Sequence, residues 1–237
     1  MELKVLTFNI QHCENFKTGQ VDLPLYIRTL QSLNADIVGL NEVYSASDSS
    51  DLRTQAAALA AGAGYPHVFF GEATRISGDR PYGNALLSKY PIRKAETVPI
   101  PDPAVRGYDG YYETRCVIKA TLNVNGVPVN VLVTHFGLNP DEHENAVKTV
   151  CGLIEERFIL MGDLNVTSDD PVLAPVFSAM QDTAAALTGE GLTFPSDRPD
   201  RKIDYIFISS DITALSAQVP ALTVSDHRPY MALLSIE

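Results

Sequence analysis

Short, mainly apolar runs bounded by glycine, proline or polar residues recur along the chain and predict strands. Two of them, Leu3–Phe8 and Asp36–Leu40, each lead directly into polar residues. The further predicted strands are His67–Gly71, Asn84–Ser88, Ile92–Val98, Thr114–Val124, Val127–Thr134, Arg157–Gly162, Ile203–Ile208, Ile212–Val219 and Tyr230–Ile236. This number of short strands favours two sheets.

Helical spacing of apolar residues appears between some of these strands. Apolar residues from Leu23 to Leu33 recur every three or four positions, with Asp22 as the expected N-cap and Asn34 as the expected end. A second helix is expected to begin at Asn139-Pro140-Asp141-Glu142, where an asparagine cap precedes a proline at the first position and a glutamate at the third.

Three more local features complete the pattern. An alanine-rich segment predicts a helix that Ser49–Asp51 opens and Gly62 or Gly64 closes. Asn125-Gly126 lies between two predicted strands, and this dipeptide adopts the positive φ angles of a tight hairpin turn. A glycine-, arginine- and proline-bearing segment, Thr74–Tyr82, is expected to be a loop.

The order of these elements predicts the fold class. Strands alternate with helices, which favours layers of both over an all-β barrel. We find no internal repeat and no stretch with the composition of an interdomain linker in the 237 residues. The sequence therefore predicts an α+β, strand-rich protein with one domain over residues 1–237.

The charge balance bears on the partners that the chain could bind. It has 18 basic and 29 acidic residues, a net charge of −11. A positive field that would attract polyanions is therefore missing, which argues against a dedicated nucleic-acid binder. Converging acidic side chains would instead suit a divalent cation.

Cysteine usage and hydropathy suggest a compartment. The three cysteines (Cys13, Cys116 and Cys151) are odd in number and widely spaced, so neither a disulfide framework nor a zinc cluster is expected. No signal-type segment follows Met1, and no run of 18 uncharged apolar residues predicts a transmembrane helix. We expect a cytoplasmic protein. The sequence leaves the oligomeric state open.

Polar residues follow or open many of the predicted strands. Each alone has an ordinary explanation as a solvated loop residue, a structural histidine or a charge on an edge strand. Together they supply four carboxylates, two amides and two histidines, which suits an oxygen-ligand cation site with acid–base groups. They are Asn9, Glu42, His135, Asp163, Asn165, Asp204, Asp226 and His227.

The most informative of these stretches is Met161-Gly162-Asp163-Leu164-Asn165. On an extended backbone, residues two apart point to the same side, so Asp163 and Asn165 are expected to face one spot at the strand end. The alternative is a local Asx turn, which aspartate and asparagine both favour. The stretch alone does not decide between them.

Several kinds of chemistry lack their motifs. The chain has no G-x-S-x-G nucleophile elbow, no P-loop and no G-x-G-x-x-G fingerprint. Zinc would need more histidine or cysteine ligands than these strand ends offer. Mg²⁺ needs few carboxylates and keeps several waters, which leaves room for phosphate oxygens.

Six short motifs contain these polar residues, and in chain order they are Thr7–Ile10, Leu40–Val43, Thr134-His135, Met161–Asn165, Ile203–Tyr205 and Ser225–Pro229. In this order they resemble the motif set of the endonuclease/exonuclease/phosphatase superfamily. The resemblance implies a four-layer α/β/β/α sandwich of the DNase I-like kind, with two mostly antiparallel sheets packed face to face and helices outside. It also implies Mg²⁺- or Mn²⁺-dependent hydrolysis of a phosphate ester.

The resemblance assigns expected roles to the strand-end residues. Glu42 resembles the principal metal ligand, with Asn9 and Asp226 beside it. Asp163 resembles the group that orients or deprotonates the attacking water, and Asn165 the amide that holds a phosphate oxygen.

The histidines and two further residues also match. His227 would stabilise charge on the phosphate, held by Asp204, and His135 would be a second histidine on the phosphate. Asn84 departs from the pattern of the DNase I branch, in which this position looks like a glutamate that pairs with the first histidine. Which residue supports His135 as an imidazolium is therefore left open. Tyr82 and Arg115 resemble phosphate-contacting residues; otherwise they are a loop aromatic and an exposed strand charge.

The substrate is the least determined feature. A small soluble phosphodiester or phosphomonoester is our leading expectation. The alternatives are a magnesium-dependent nuclease, a sphingomyelinase-like lipid phosphodiesterase and, more remotely, a non-catalytic binding module. A resemblance to the DNA-repair branch would imply a tryptophan in the segment just before the Asp204-type motif. In this chain that segment is Leu192–Asp197, and the chain has no tryptophan.

Overall fold

The computed structural model describes residues 1–45, 55–76 and 79–236. In chain order its strands and α-helices are β1 (Glu2–Asn9), β2 (Glu14–Asn15), β3 (Gln20–Val21), α1 (Leu23–Leu33), β4 (Ile37–Tyr44), α2 (Gln55–Ala63), β5 (His67–Ile76), β6 (Arg80–Ser88), β7 (Ile92–Pro99), β8 (Cys116–Val124), β9 (Val127–His135), α3 (Pro140–Cys151), β10 (Phe158–Asp163), α4 (Ala174–Ala179), β11 (Gln181–Asp182), β12 (Asp204–Ile208), β13 (Ile212–Gln218) and β14 (Tyr230–Ile236). Single 3₁₀ turns lie at Gln11–Cys13, Pro171–Leu173 and Thr183–Ala186.

Two large mixed sheets dominate the structure. Their strand orders are β13-β14-β1-β4-β6-β5 and β11-β12-β10-β9-β8-β7. Each sheet has one parallel pair, β1 with β4 and β9 with β10, and its other pairs are antiparallel. The parallel pairs lie at the centres of the sheets, and their strands end on the same side.

Three apolar clusters explain the layering. The first lies between the sheets and includes Val5, Val133 and Met161. The second joins the outer face of the first sheet to α1 and α2, and the third joins the outer face of the second sheet to α3 and α4. The result is the predicted α/β/β/α sandwich, in which each sheet buries both faces.

Local sequence signals act as predicted at the helix and hairpin ends. The Asp22 carboxylate accepts a hydrogen bond from the Leu25 N–H at 3.0 Å, and Asn34 ends α1 with a φ of 46°. Asn139 and Glu142 form a capping box at the start of α3. Asn125-Gly126 turns between β8 and β9 with φ angles of 52° and 95°.

Other boundaries differ from the sequence prediction. The prediction of a loop over Thr74–Tyr82 is wrong, because β5 continues to Ile76 and its antiparallel partner β6 already begins at Arg80. Cross-strand hydrogen bonding extends both strands through residues without apolar alternation. The predicted opening of α2 at Ser49–Asp51 lies outside the described residues. The sequence also did not predict α4 or β11.

In the part of the chain that the structure describes, we find no helix with the length and apolarity needed to cross a membrane.

Candidate active site at the strand ends

The register of the second sheet brings three of the predicted residues side by side. Asp163, the last residue of β10, pairs with His135 at the end of β9 and with Asp204 at the start of β12. Asn9, the last residue of β1 in the facing sheet, donates a hydrogen bond from Nδ2 to Asp163 Oδ2 at 3.1 Å. Both sheets therefore contribute to one cluster.

Gly162 lets β10 approach β9 closely enough for this pairing. Its φ is 153°, and a Cβ at this position would lie 1.8 Å from the Thr134 carbonyl oxygen. Only glycine fits such a contact between backbones. The G-D-x-N stretch therefore depends on its glycine for strand packing as well as on its polar residues for chemistry.

Asp163 is buried and held from several sides. Its Oδ1 accepts a hydrogen bond from the Asn165 N–H at 2.9 Å, and its own N–H donates to Asn41 Oδ1 at 3.0 Å. Burial raises the pKa of Asp163 to about 7, and the neighbouring His227 offsets part of this effect. The carboxyl can therefore exchange a proton near neutral pH.

The path of the chain after Asp163 corrects the extended-strand prediction. Asn165 has a φ of 52°, so its backbone is left-handed and not extended. The Asp163–Asn165 hydrogen bond is the Asx turn that was the alternative. This turn still aims Asn165 into the cluster, because its Nδ2 lies 3.1 Å from His135 Nε2 and donates to the Phe136 carbonyl at 3.1 Å.

His227 forms a buried pair with Asp204. Nδ1 of His227 lies 2.9 Å from Asp204 Oδ2, and Nε2 lies 3.5 Å from Asp163 Oδ2. The Phe194 ring packs on the imidazole at 4.8 Å between centroids. Burial lowers the pKa of His227, but the carboxylates of Asp204 and Asp163 outweigh it and raise the pKa to about 10. This histidine is an imidazolium at neutral pH.

His135 has the opposite electrostatic setting. Arg115 Nη1 lies 3.0 Å from His135 Nδ1, and because a guanidinium only donates, Nδ1 must accept. The remaining ring proton then sits on Nε2, which lies 3.5 Å from Asp163 Oδ2. Burial, the Arg115 charge and His227 lower the pKa of His135 well below its usual value. It is therefore a neutral donor.

Asn84 does not take part in this support. Its Nδ2 donates to the Cys116 carbonyl at 3.0 Å, and its Oδ1 accepts from Asn41 Nδ2 at 2.8 Å. Arg115 instead fixes the His135 tautomer. The structure therefore agrees with the absence of a glutamate at position 84. An acidic partner would raise the pKa of His135, whereas the residue that contacts its Nδ1 here is Arg115.

Arg115 contacts His135 and also lies beside Tyr82. Arg115 is buried, its Nη1 lies 2.6 Å from Glu113 Oε1, and its Nε has no hydrogen-bond partner among the described residues. Burial and the charge of Glu42 raise the pKa of the Tyr82 phenol, and the nearby Arg115 offsets part of the shift. Arg115 is therefore not the exposed strand charge of the alternative, and Tyr82 is a buried residue of β6 and not a loop aromatic.

Glu42 and Asp226 form the most acidic part of the cluster. Glu42 sits at a bulge in β4 with a φ of 58°, and its Oε1 accepts from Asn9 Nδ2 at 3.0 Å. Burial raises the pKa of Asp226; His227 lowers it and the charge of Glu42 raises it further. Among the described residues, no lysine or arginine forms an ion pair with either carboxylate. These oxygens fit a hard divalent cation.

The orientation of Asn9 qualifies its expected ligand role. Its Nδ2 faces Glu42 and Asp163, while its Oδ1 accepts from the Gln11 N–H at 3.1 Å. In this arrangement Asn9 holds the two carboxylates in place. Its role as a metal ligand stays a prediction.

A second group of side chains also has metal-like spacing. Ligand atoms of Asp163, Asp204 and His227 lie within 4.8 Å of one another. Both ring nitrogens of His227 already face carboxylates, however, since Nδ1 lies 2.9 Å from Asp204 Oδ2 and Nε2 lies 3.5 Å from Asp163 Oδ2. We therefore place the candidate cation site at Glu42 and Asp226.

Three supporting residues escaped the sequence prediction. Asn41 links the sheets, since its Nδ2 donates to the Thr134 carbonyl at 2.8 Å and its Oδ1 holds Asp163. Glu113 pairs with Arg115, and Phe194 packs on His227. Only Asn41 carried a signal, as a second polar residue beside Glu42 at the end of an apolar run.

Comparison with known proteins gives a family match. The model of the Endonuclease/Exonuclease/phosphatase family matches residues 6–227. No curated protein sequence matches the chain.

Solved structures with the same fold cover almost the whole chain. An endonuclease/exonuclease/phosphatase from Beutenbergia cavernae DSM 12333 has a TM-score of 0.80 and 23% identity, over 99% of this chain and 72% of that one. One from Bacteroides vulgatus has a TM-score of 0.79 and 22% identity, over 100% of both chains. A mannosyl-6-phosphatase from Bacteroides thetaiotaomicron VPI-5482 has a TM-score of 0.76 and 16% identity, over 99% of this chain and 100% of that one. At these identities the likeness shows the fold.

Proposed function

Because the chain belongs to the Endonuclease/Exonuclease/phosphatase family, we propose that it is a divalent-metal-dependent phosphoesterase in which water displaces the leaving oxygen directly. The observation that carries the proposal is the convergence of a raised-pKa carboxyl, an imidazolium and a neutral imidazole on one point. Oδ2 of Asp163 lies 3.5 Å from Nε2 of both His135 and His227. A water beside Asp163 would have a base on one side and donors for the phosphate on the other.

Each side chain has a distinct job in this proposal. Glu42 and Asp226, with Asn9 beside them, would hold the cation, which would supply positive charge to offset the charge of the phosphate. Asp163 takes the proton of the attacking water. His227 donates from Nε2 to a phosphate oxygen, and Asp204 keeps the imidazolium charged.

The other donors orient the ester. His135 donates from Nε2 as a neutral imidazole, and the Asn165 amide lies beside it. Arg115, which lies beside Tyr82, fixes the His135 tautomer. Phosphoryl transfer depends on this kind of positioning and charge stabilisation more than on covalent chemistry, so no enzyme-bound intermediate is needed.

A small soluble phosphate ester is the substrate that we propose. The net charge of −11 opposes approach of a nucleic acid, so a nuclease is the weaker alternative. One observation favours a lipid phosphodiester as a second candidate. The loop between β7 and β8 leads directly to Arg115 and carries exposed Val105, Tyr108 and Tyr111.

The first experiment tests hydrolysis itself. We expect Mg²⁺-dependent cleavage of bis-p-nitrophenyl phosphate by the wild type, and loss of it in Glu42→Ala and in His227→Ala. Glu96→Ala on exposed β7 and His67→Ala at the start of β5 are matched controls outside the cluster. If the wild type is as inert as both site variants with every divalent metal and ester, the chain is a binding module and the proposal fails.

A substrate panel then separates the classes. It compares phosphate monoesters and diesters of small molecules, plasmid DNA, abasic DNA and sphingomyelin vesicles. The highest kcat/KM is expected on a small ester. A preference for DNA or for vesicles would overturn the substrate assignment and leave the phosphoesterase assignment standing.

A further inference from the structure

The turn that follows β1 has an unusual backbone. Gln11, His12 and Cys13 are three consecutive residues other than glycine with positive φ angles of 41°, 56° and 63°. Residues other than glycine rarely adopt this left-handed backbone region, and runs of such residues persist only where the surrounding structure fixes them. The turn presents His12 to the candidate site.

Contacts from other elements hold the turn. The Gln55 amide at the start of α2 donates from Nε2 to the His12 carbonyl at 2.6 Å, and its Oε1 accepts from the Tyr44 N–H at 2.9 Å. The Cys13 carbonyl accepts from the Asp22 N–H at 2.8 Å. The left-handed turn is therefore anchored to α2, to the end of β4 and to the cap of α1.

The imidazole of His12 is also fixed by packing. Its ring centroid lies 4.3 Å from that of Tyr44 and 5.4 Å from that of Tyr82. Nδ1 is buried and has no hydrogen-bond partner among the described residues, so none of the groups in this part of the chain fixes the tautomer through Nδ1. The other nitrogen, Nε2, faces Glu42.

The distance between His12 and Glu42 bears on whether both side chains could bind the same ion. Nε2 and Glu42 Oε2 are 3.7 Å apart, which is too long for a hydrogen bond. The side chains of His12 and Glu42 are 25% and 22% exposed, so both are in contact with solvent. Two donors that bind one metal at about 2 Å each end up roughly 3 to 3.5 Å apart, so a small movement would let both bind the same ion.

We propose that His12 is a further ligand of the cation at Glu42, and that its imidazole gives the site a preference for a transition-metal ion such as Mn²⁺ over Mg²⁺. The inference rests on the proposed function, because it uses the cation site assigned there. Carboxylates and amides alone suit Mg²⁺, whereas an imidazole nitrogen favours first-row transition metals. No motif that we used to assign the site includes residue 12.

The test measures metal binding on the whole protein without substrate. Mn²⁺ bound to the wild type should show ¹⁴N modulation from a coordinated imidazole in pulsed electron paramagnetic resonance. His12→Phe keeps a ring against Tyr44 and Tyr82 but has no nitrogen. We expect it to lose the ¹⁴N signal and to bind Mn²⁺ at least about tenfold more weakly by titration calorimetry, a loss at the low end for altered metal sites. Mg²⁺ affinity should change less than about twofold by the same method.

Two more variants complete the design. His67→Phe removes a histidine outside the site and should behave as the wild type. His12→Gln offers an oxygen in place of nitrogen, and serves if the phenylalanine variant does not fold. It should lose the ¹⁴N signal and the preference for Mn²⁺ while it retains Mg²⁺ binding.

The outcomes separate this inference from the proposed function. If Glu42→Ala leaves Mn²⁺ and Mg²⁺ binding unchanged, the cation site is elsewhere and the proposed function and this inference both fail. If Glu42→Ala abolishes binding but the His12 variants keep the ¹⁴N signal and the Mn²⁺ affinity, His12 is not a ligand and only the present inference is overturned.

Discussion

Asp163 takes part in more of the contacts within the site than any other residue described above. It accepts hydrogen bonds from Asn9 and Asn165, and it lies 3.5 Å from Nε2 of each imidazole. Such a position makes the proton affinity of its carboxyl a property of the whole cluster. Activity should therefore follow pH through this residue.

The pH profile is the first prediction at this scale. Asp163 must be ionised to act as a base, and its pKa is raised to about 7, so kcat/KM should rise as pH rises through 7. His227 stays protonated up to about 10, so no fall is expected below that pH. Asp163→Asn should remove this rise of kcat/KM with pH and lower kcat by a factor of about 10² to 10⁴. A profile that is flat between pH 6 and 8 in the wild type would contradict the assignment.

Arg115 gives a second prediction, about His135. Arg115→Met removes the cation that lies against Nδ1, so the pKa of His135 should rise towards its usual range. The titration of the His135 ring proton by NMR measures this directly. Arg93→Met on exposed β7 is the control and should leave it unchanged. An unaltered His135 titration in Arg115→Met would show that burial and the other nearby histidines set its protonation without Arg115.

Among the elements, the parallel pair β9 and β10 positions the largest share of the cluster. Their register aligns His135 with Asp163, and Gly162 permits the close approach. Gly162→Ala should cost about 3 kcal/mol or more of unfolding free energy and abolish activity, because the added Cβ meets the Thr134 carbonyl.

Urea unfolding measures this loss, with Gly152→Ala as the control. Gly152 has a φ of −72° and only ordinary contacts at the end of α3. Equal stability of the two variants would mean that the strands can separate locally at no cost.

The start of α3 also supports the site, through Glu142. This buried carboxylate accepts hydrogen bonds from the backbone N–H groups of Leu138, Asn139 and Glu113 at 3.2, 3.1 and 3.2 Å. Glu142→Ala should lower the unfolding free energy by about 2 to 4 kcal/mol, because these buried donors lose their partner.

An effect on catalysis should accompany it. Glu113 pairs with Arg115, so release of the Glu113 backbone should also raise KM. Glu144→Ala, exposed on the same helix, is the control for both measurements. A stability loss with unchanged KM would limit Glu142 to capping.

At the scale of the whole molecule, the acidic balance and the cation site act together. The net charge is −11, and two of the 29 acidic residues, Glu42 and Asp226, lie near each other. A cation that binds the folded state at 100 times its Kd stabilises it by about 2.7 kcal/mol, which corresponds to roughly 5 to 10 °C in Tm for a chain of this size.

We therefore expect Mg²⁺ or Mn²⁺ to raise Tm by this amount relative to a chelator, in calorimetry at equal ionic strength. Glu42→Gln should lose most of the increase. An equal increase in wild type and variant would indicate general screening of the acidic surface.

The sequence by itself determined most of the elements, the family and the fold. Apolar runs, the Asp22 and Asn139 caps and the Asn125-Gly126 turn are local signals, because each acts through neighbouring residues. Six ordered motifs were enough to identify the family and the four-layer fold. The expectation of one domain, the residue roles and the cytoplasmic location stay predictions.

Only the tertiary structure decided how the predicted residues are arranged and what each one contacts. It replaced the extended Asp163–Asn165 geometry with an Asx turn, turned Asn84 away from His135, and set Arg115 there instead. It also brought His12 to Glu42. These contacts join residues far apart in the chain, and protonation depends on burial and neighbouring charge, which no local pattern encodes.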